Sequence, residues 1–516
     1  MKKFLVVMAV LAAVCMTTAA YAIDVTLSGE VAVRERLFLN NIGTTNSSGT
    51  TPNSATYTGS QAIANSHADR TNDAYTQSHF LLEVNIKADN NIKGKLALFN
   101  DWDDWGGSGR GAIDQLRGYG NSSDGSSNSN VGNVPANSQY NQANGSSAFI
   151  REAWIDFMVP GTPVGLKAGR MLGQLGQGWF LRSQYGGQDA WLLYANLGST
   201  TIAFQDVKVS EGQTNQGTAT VKILDTTRSF DDVDLYSFIA TIKPSDTATI
   251  SFDLSYLNDR NGVVLVSPIG ASGSGQFSTG TGYLWNLGMS YNVKAGPATI
   301  KGEFDVQNGH VQTFGSPAAL SGGTDYGGYQ GIVMASVPVG IVTINVNGAY
   351  GSGNRPGSSN YSAYTPMLDI TQHYTYIYEY RNKTAAGGTY LGFANTTALS
   401  AGIMVQATKS VAVGFDTWWL QATEYPTVRN ATTGNFVSKP LNGAQDSANS
   451  KDLGVETDFK VNWQISPNLS WNTQLCWFAT GAAYRTPNNG VANVGGVGQG
   501  WMDDIYTIQG VLMLKF

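Results

Sequence analysis

The chain has 516 residues, a formal net charge of −6 and only 13% charged residues, where soluble domains carry roughly 25%. Its 11% aromatic content argues against intrinsic disorder and its acidic balance argues against nucleic-acid binding. No apolar run after the N-terminus approaches the ~20 residues of a membrane-spanning helix. Low charge combined with abundant Gly, Asn, Ser and Thr is instead typical of a transmembrane β-barrel.

Residues 1–22 have the three parts of a secretory signal peptide. Two lysines at the start precede an apolar stretch over residues 4–16 and a small-x-small cleavage motif, AYA, at 20–22. We therefore predict that residues 1–22 are cleaved and that the mature protein begins at Ile23. Of the cysteines only Cys476 then remains, which excludes a disulfide framework or a cysteine metal site within one chain.

Beyond the signal peptide, apolar residues recur at every second position, the period of a β-strand with one apolar and one polar face. In residues 453–465, for example, Leu453 and Val455 alternate with Glu456 and Asp458. The alternation predicts 18 strands, near residues 25–40, 75–88, 92–101, 148–159, 163–170, 189–197, 200–209, 232–243, 247–257, 282–294, 298–307, 328–337, 341–350, 398–408, 411–422, 452–465, 469–479 and 503–516.

The connections between these strands alternate in length. Short turns such as 89–91, 160–163 and 467–468 alternate with long loops such as 41–74 and 102–147. Outer-membrane barrels have short periplasmic turns and long extracellular loops, whereas a β-sandwich has no reason to sort its connections by side. We therefore predict an all-β fold, namely a single 18-stranded antiparallel transmembrane β-barrel over residues 23–516. An even strand number places both termini in the periplasm of a Gram-negative cell.

The last predicted strand ends in an aromatic residue, Phe516, after an alternating apolar parity. A chain that ends in this way resembles the C-terminal signal read by the outer-membrane assembly machinery. Aromatic clusters at strand ends, such as Trp418 and Trp419, fit the girdles expected at the membrane interfaces. The predicted partners are therefore outer-membrane lipid and lipopolysaccharide, the assembly machinery through Phe516, and small hydrophilic solutes.

Several short stretches resemble the alginate-export family of outer-membrane porins. They are AGRM at 168–171, LGQGWF at 175–180, DAW at 189–191 and the hairpin sequence from 452 to 469, with Met171 standing where the family pattern has Gln. Arg34 and Arg36 and the stretch 151–154 are also similar. The resemblance implies a single 18-stranded barrel, and alginate export implies a basic lumen for a polyanion.

The polar parity of each strand is expected to face the lumen. Basic and acidic residues occur on it in nearly equal numbers, which argues against a lumen of one sign and therefore against alginate itself as the solute. Glu35 and Arg170 fall on the apolar parity, where a bulge or a rim position would explain them. The predicted pore-lining residues are Arg34, Arg36, Lys93, Lys95, Asp101, Glu152, Asp156, Lys167, Arg170, Arg182, Lys301, Glu303, Asp305, Glu456, Asp458 and Lys460.

The third long connection, residues 171–188, is compact, rich in Gly and aromatic. Its glycines allow tight backbone turns. We predict that this loop packs into the mouth of the barrel and narrows the pore, with Arg170 and Arg182 near the constriction. A plain surface loop is the alternative.

The sequence carries no recognisable catalytic or metal-binding motif. It has only four histidines, without the paired spacing of a zinc site, and it lacks Gly-x-Ser-x-Gly, His-Glu-x-x-His and phosphate-binding loop motifs. Asp101, Asp103 and Asp104 could bridge to lipopolysaccharide through divalent ions. We therefore predict a protein that is not an enzyme, with no catalytic residue, no bound metal and no cofactor.

These observations predict an outer-membrane channel that passes small hydrophilic solutes or ions by diffusion, because an 18-stranded barrel encloses an aqueous lumen. Three alternatives stay open. The barrel could export a polysaccharide of the alginate type, it could sheath a periplasmic electron-transfer protein such as a multihaem cytochrome, or its long loops could serve as a receptor or adhesin.

Overall fold

In the computed structural model, the described residues are 23–41, 71–104, 149–183, 186–210, 232–260, 281–312, 323–367, 374–378, 392–425, 427–429, 436–438, 450–484 and 504–516. The predicted signal peptide lies outside them. Within these residues the chain forms strands and a single short 3-10 turn at Ala482–Tyr484. None of the helical structure they contain is long and apolar enough to cross a membrane.

The strands follow the predicted alternation closely. Their bounds are β1 Asp24–Asn41, β2 Thr71–Lys87, β3 Ile92–Asp104, β4 Phe149–Met158, β5 Val164–Met171, β6 Gln188–Leu197, β7 Thr200–Ser210, β8 Val233–Ser245, β9 Ala248–Asp259, β10 Gly282–Ala295, β11 Ala298–Val311, β12 Thr324–Tyr326, β13 Tyr329–Val339, β14 Val342–Gly351, β15 Thr397–Gln406, β16 Val411–Gln421, β17 Thr427–Arg429, β18 Phe436–Ser438, β19 Asp452–Ser466, β20 Leu469–Thr480 and β21 Ile505–Lys515.

One antiparallel sheet runs through all of these strands except the small β17–β18 hairpin. The short β12 pairs with the C-terminal end of β11, and β13 pairs with the rest of β11. The two short strands together therefore occupy one position in the wall. The first strand pairs with both β2 and β21, which closes the sheet on itself. The predicted closed barrel of 18 strands is confirmed, and closure leaves no open sheet edge.

Each strand has an exposed apolar side and a polar or covered side. Leu287 on β10, Val306 on β11 and Trp191 on β6 are 59%, 60% and 60% exposed, although all three are large and apolar. Their neighbours in sequence, such as Asn286 and Asp305, are buried. The outer surface is therefore apolar and the inner surface is polar, the reverse of a water-soluble domain.

Candidate channel lumen

A buried glutamate on the lumen side of β11 holds the loop that connects β5 to β6. Glu303 accepts hydrogen bonds from the backbone N–H groups of Gln177, Trp179 and Phe180, the last two at 2.9 Å. Only 2% of Glu303 is exposed. Because the loop starts and ends on β5 and β6 while Glu303 lies on β11, the described parts of residues 172–187 (172–183 and 186–187), here called the first inner loop, cross the interior of the barrel.

The first inner loop has its own internal structure. Leu175 donates its backbone N–H to the carbonyl of Leu181 at 3.0 Å, and Gly173 donates to the hydroxyl of Ser183 at 2.7 Å. Gly176 has φ of +55°, and a Cβ there would lie 2.6 Å from a carboxylate oxygen of Glu303. Only glycine allows the backbone to approach the carboxylate this closely, which explains the Gly spacing in this part of the sequence.

A second buried glutamate holds the connection between β14 and β15 in the same way. Glu456, on the lumen side of β19, accepts hydrogen bonds from three consecutive backbone N–H groups, those of Tyr376, Ile377 and Tyr378, at 2.6, 2.7 and 2.7 Å. Glu456 has no exposed surface. The described parts of residues 352–396, here called the second inner loop, therefore also lie inside the barrel.

The two inner loops contact each other. The ring of Trp179 lies against Phe393, with centroids 4.4 Å apart, and Phe393 stacks on Tyr374 at 4.3 Å. Met367 donates its backbone N–H to the carbonyl of Phe180 at 2.7 Å. Residues far apart in the sequence thus form one aromatic cluster inside the lumen, which is attached to the wall at Glu303 and at Glu456.

Each of these glutamates is followed, two residues later, by an aspartate on the same face of the strand. Asp305 accepts hydrogen bonds from the amides of Asn286 at 2.9 Å and Gln330 at 2.8 Å. Asp458 instead lies directly opposite Asp416, whose carboxylate forms an ion pair with Lys460 at 2.6 Å. Neutral amide donors thus bind the aspartate at one site, whereas at the other site the cation binds the facing Asp416.

Amide side chains on the wall extend the contact with the second inner loop. Gln307 donates to the carbonyl of Thr365 at 2.7 Å and accepts the N–H of the same residue at 2.8 Å. Tyr364 beside it is buried, and this burial, together with the carboxylates of Asp305 and Glu303, holds the pKa of Tyr364 well above its ordinary value. The phenol therefore stays neutral in this acidic surrounding.

The lumen wall on β2 to β5 carries basic and acidic residues side by side. Lys95 bridges Glu83 at 2.6 Å and Glu152 at 2.8 Å, and the Lys167 ammonium lies 3.8 Å from the centre of the Trp154 ring. These cations are paired locally with carboxylates or an aromatic face. Charges of both signs therefore lie next to each other on this part of the wall.

The predicted pore-lining residues divide into three groups. Most lie on the lumen side of their strands, in register with other inward residues: Arg34, Arg36, Lys93, Lys95, Glu152, Asp156, Lys167, Lys301, Glu303, Asp305, Glu456, Asp458 and Lys460. Arg182 lies in the first inner loop, in a bridge with Gln174. Asp101 lies within β3, but its side chain is outside the described residues.

Arg170 departs from the prediction. Its guanidinium donates to both carboxylate oxygens of Asp189, at 3.0 and 2.7 Å, and Asp189 shares the outward parity of Trp191 on β6. Arg170 therefore lies on the outer surface near the C-terminal end of β5, and its predicted place at the constriction is wrong. Glu35 is also exposed on the outward parity of β1, with no bulge beside it.

Several lumen residues are not among those predicted from the sequence. The second inner loop was predicted only as a long extracellular connection, although its repeated tyrosines between 361 and 378 are unusual for a solvated loop. Asn286, Gln307 and Gln330 were overlooked because uncharged polar residues occur throughout this chain. Within the described residues, no group of three or more His, Cys, Asp and Glu side chains is arranged to hold a metal ion.

Neither a scan of protein-family models nor a search of curated proteins finds a match for this sequence. Solved structures with similar folds include three proteins of Pseudomonas aeruginosa. OccK11 (OpdR) has a TM-score of 0.46 at 8% identity, covering 95% of this chain and 96% of that chain. OccK2 (OpdF) has 0.47 at 10%, covering 95% and 97%. The outer membrane protein opdK has 0.47 at 9%, covering 95% and 99%.

These similarities concern the fold alone. The closed barrel described above is established by the strand pairing of this chain itself. The resemblance to the alginate-export family stays a prediction.

Proposed function

We propose that this chain is a channel of the Gram-negative outer membrane through which small hydrophilic solutes or ions diffuse. The observation that carries the proposal is the closed wall of 18 strands with an apolar exterior and a polar, charged interior. Bilayers accept strands only as closed barrels, and a barrel of this size encloses an aqueous lumen rather than a packed core. The proposed role is the passive transport of solutes and not catalysis.

The inner loops limit the size of the solutes that can pass through the barrel. Both cross the interior and are fixed by buried glutamates, so the passage is narrower than the barrel wall would allow. A polysaccharide of the alginate type would need an electropositive path, whereas the cations on β2 to β5 lie next to carboxylates, as Lys95 does between Glu83 and Glu152. A sheath around an electron-transfer protein would need the interior that the loops occupy. Diffusion of small solutes is therefore favoured over both alternatives.

The location belongs to the same proposal. Both termini would lie at the periplasmic end, where the short turns lie, and the terminal Phe516 would be available to the assembly machinery. The apolar exterior would contact membrane lipid, and the outer strand ends would contact lipopolysaccharide.

Conductance of the purified protein in planar bilayers tests the proposal. We expect discrete channels, and we expect larger ones after deletion of residues 174–186, which removes the centre of the first inner loop. An equally long deletion of residues 212–224, between β7 and β8, is the control and should conduct like the unaltered protein. Absence of conductance at every voltage would exclude the channel, and equal conductance of both deletions would exclude the narrowing role of the loop.

A further inference from the structure

Three lysines lie close together on β8, β10 and β11, near the short turns that end or begin these strands. Lys294 and Lys301 are diagonal neighbours on adjacent strands, since Lys294 lies opposite Thr299 and Lys301 lies opposite Asn292. Such neighbours are about 7–8 Å apart. Lys243 lies near the end of β8, two strand spacings or about 10 Å from β10. We call Lys243, Lys294 and Lys301 the lysine patch.

The lysine patch faces the lumen. Its members continue the inward parity of Ser237, Asn286 and Glu303, which are buried on the same three strands. The first inner loop lies directly above it, because the side-chain amide of Gln177 donates to the carbonyl of Tyr291 on β10 at 3.4 Å. The patch therefore lies in the lumen between the first inner loop and the short turns.

The ammonium groups of the lysine patch have no acidic partner. Among the described residues, no carboxylate oxygen lies within 4.0 Å of any of the three. The inward residues beside them are neutral and polar, namely Thr249, Asn292 and Thr299. Two of the lysines are exposed and the third is half-buried. They differ in this from Lys95, which also faces the lumen but lies between two glutamates.

The carboxylates farther along the same strands are shielded from a solute. Glu303 and Asp305 on β11 are 2% and 1% exposed, and they are bound by backbone and amide donors. Asp253 on β9 is 5% exposed. A solute that lies between the first inner loop and the short turns therefore contacts the lysines and not these carboxylates.

We propose that the lysine patch binds small, multiply charged oxyanions of the phosphate or sulfate type at the periplasmic mouth of the channel. This inference rests on the proposed function, which assigns the short turns to the periplasmic side. Separate ammonium groups are point charges that can approach different oxygens of a tetrahedral anion, whereas bidentate binding of a flat carboxylate favours arginine. The amide of Asn292 and the hydroxyl of Thr299 add uncharged donors. Unpaired cations in a lumen also attract anions from solution.

Ion currents through the purified protein in planar bilayers test the lysine patch. Sodium phosphate and sodium sulfate should reduce the chloride current at several-fold lower concentration than sodium acetate. The triple variant Lys243→Gln, Lys294→Gln and Lys301→Gln should raise the phosphate concentration for half-reduction several-fold, and it should shift the reversal potential in a KCl gradient toward potassium. Lys409→Gln, in the short turn between β15 and β16, is the matched control and should behave like the unaltered protein. Equal reduction by phosphate and acetate, or a triple variant that behaves like the control, would overturn the proposal.

Phosphate retention gives a second measurement that needs no current. The detergent-solubilised protein should retain radiolabelled phosphate and the triple variant should lose most of it, while heat-modifiable migration on gels shows that the variant barrel still folds. Protein that retains phosphate through the lysine patch without conducting would refute only the proposed function. Channels with neither phosphate retention nor a phosphate effect on the current would refute only the binding site.

Discussion

Both inner loops are attached to the wall by a buried glutamate, but the surroundings of the two glutamates differ. Glu303 and Glu456 each accept three backbone N–H groups, two through one oxygen and one through the other. The accompanying Asp305 is held by amides, whereas Asp458 faces Asp416 beside Lys460. Each glutamate therefore binds its loop through backbone N–H groups, and the first inner loop needs a glycine at 176 to approach Glu303 closely.

The largest effect is expected when both anchors are removed. Hydrogen bonds to charged groups contribute ~1.5–3 kcal/mol each, so loss of three at each anchor should release both loops. The double variant Glu303→Ala with Glu456→Ala should raise single-channel conductance about twofold or more, because the lumen widens. The matched control is Glu35→Ala, on the outer surface, which should leave conductance unchanged. Unaltered conductance of the double variant would show that the anchors do not hold the constriction.

The contact between the loops should have the next largest effect. Trp179→Ala removes a buried ring that packs on Phe393 and Tyr374, which costs about 3–5 kcal/mol by comparison with other buried Trp residues. Protease cleavage should accelerate in both inner loops, measured by mass spectrometry of the folded barrel. If cleavage accelerates only in the first inner loop, the two loops are independent. Trp191→Ala, on the exterior, serves as the control.

Substitution of Asp305 and of Asp458, each two residues after an anchoring glutamate, should affect the stability of the barrel differently. Asp305→Asn should destabilise the barrel by about 1–3 kcal/mol, because a new amide would face the donors of Asn286 and Gln330. Asp458→Asn should cost less or even stabilise, because it removes one of two carboxylates directly opposite each other. Urea unfolding of both variants in detergent measures the difference. Equal losses would mean that the surroundings of the two sites do not matter.

The smallest effect is expected on the wall at β4 and β6, away from both anchors. Tyr194 donates its hydroxyl to Asp156 at 2.6 Å in a partly buried hydrogen bond. Tyr194→Phe should cost about 1.5 kcal/mol in urea unfolding, the lower end of the range for a lost hydrogen bond to a charged group. Protease cleavage of the inner loops should be unchanged. Faster cleavage would show that the two sides of the lumen are coupled.

The sequence was sufficient to predict the strands of the barrel wall but not the loops inside the barrel. Period-two alternation is a local signal, so the strands and the inward position of Glu303 and Glu456 followed from it directly. Their role as anchors could not be predicted, because the partners are backbone groups more than 70 residues away that any sequence provides. Arg170 falls on the apolar parity of its strand, which already indicates the outer surface, but its partner Asp189 lies on another strand, and an ion pair between strands has no signature in one strand alone.

The seam between β1 and β21 has a consequence for the order of folding. Gly29 and Phe516 exchange backbone hydrogen bonds of 2.9 and 3.1 Å, and Arg36 binds Gln509 farther along the same pair of strands. The strand that completes the barrel is therefore synthesised after all the others, and until it arrives β1 has an unpaired edge that can join another chain. Contacts so distant in sequence form slowly. The unfolded polypeptide therefore stays exposed to pairing with neighbouring chains until its two ends meet.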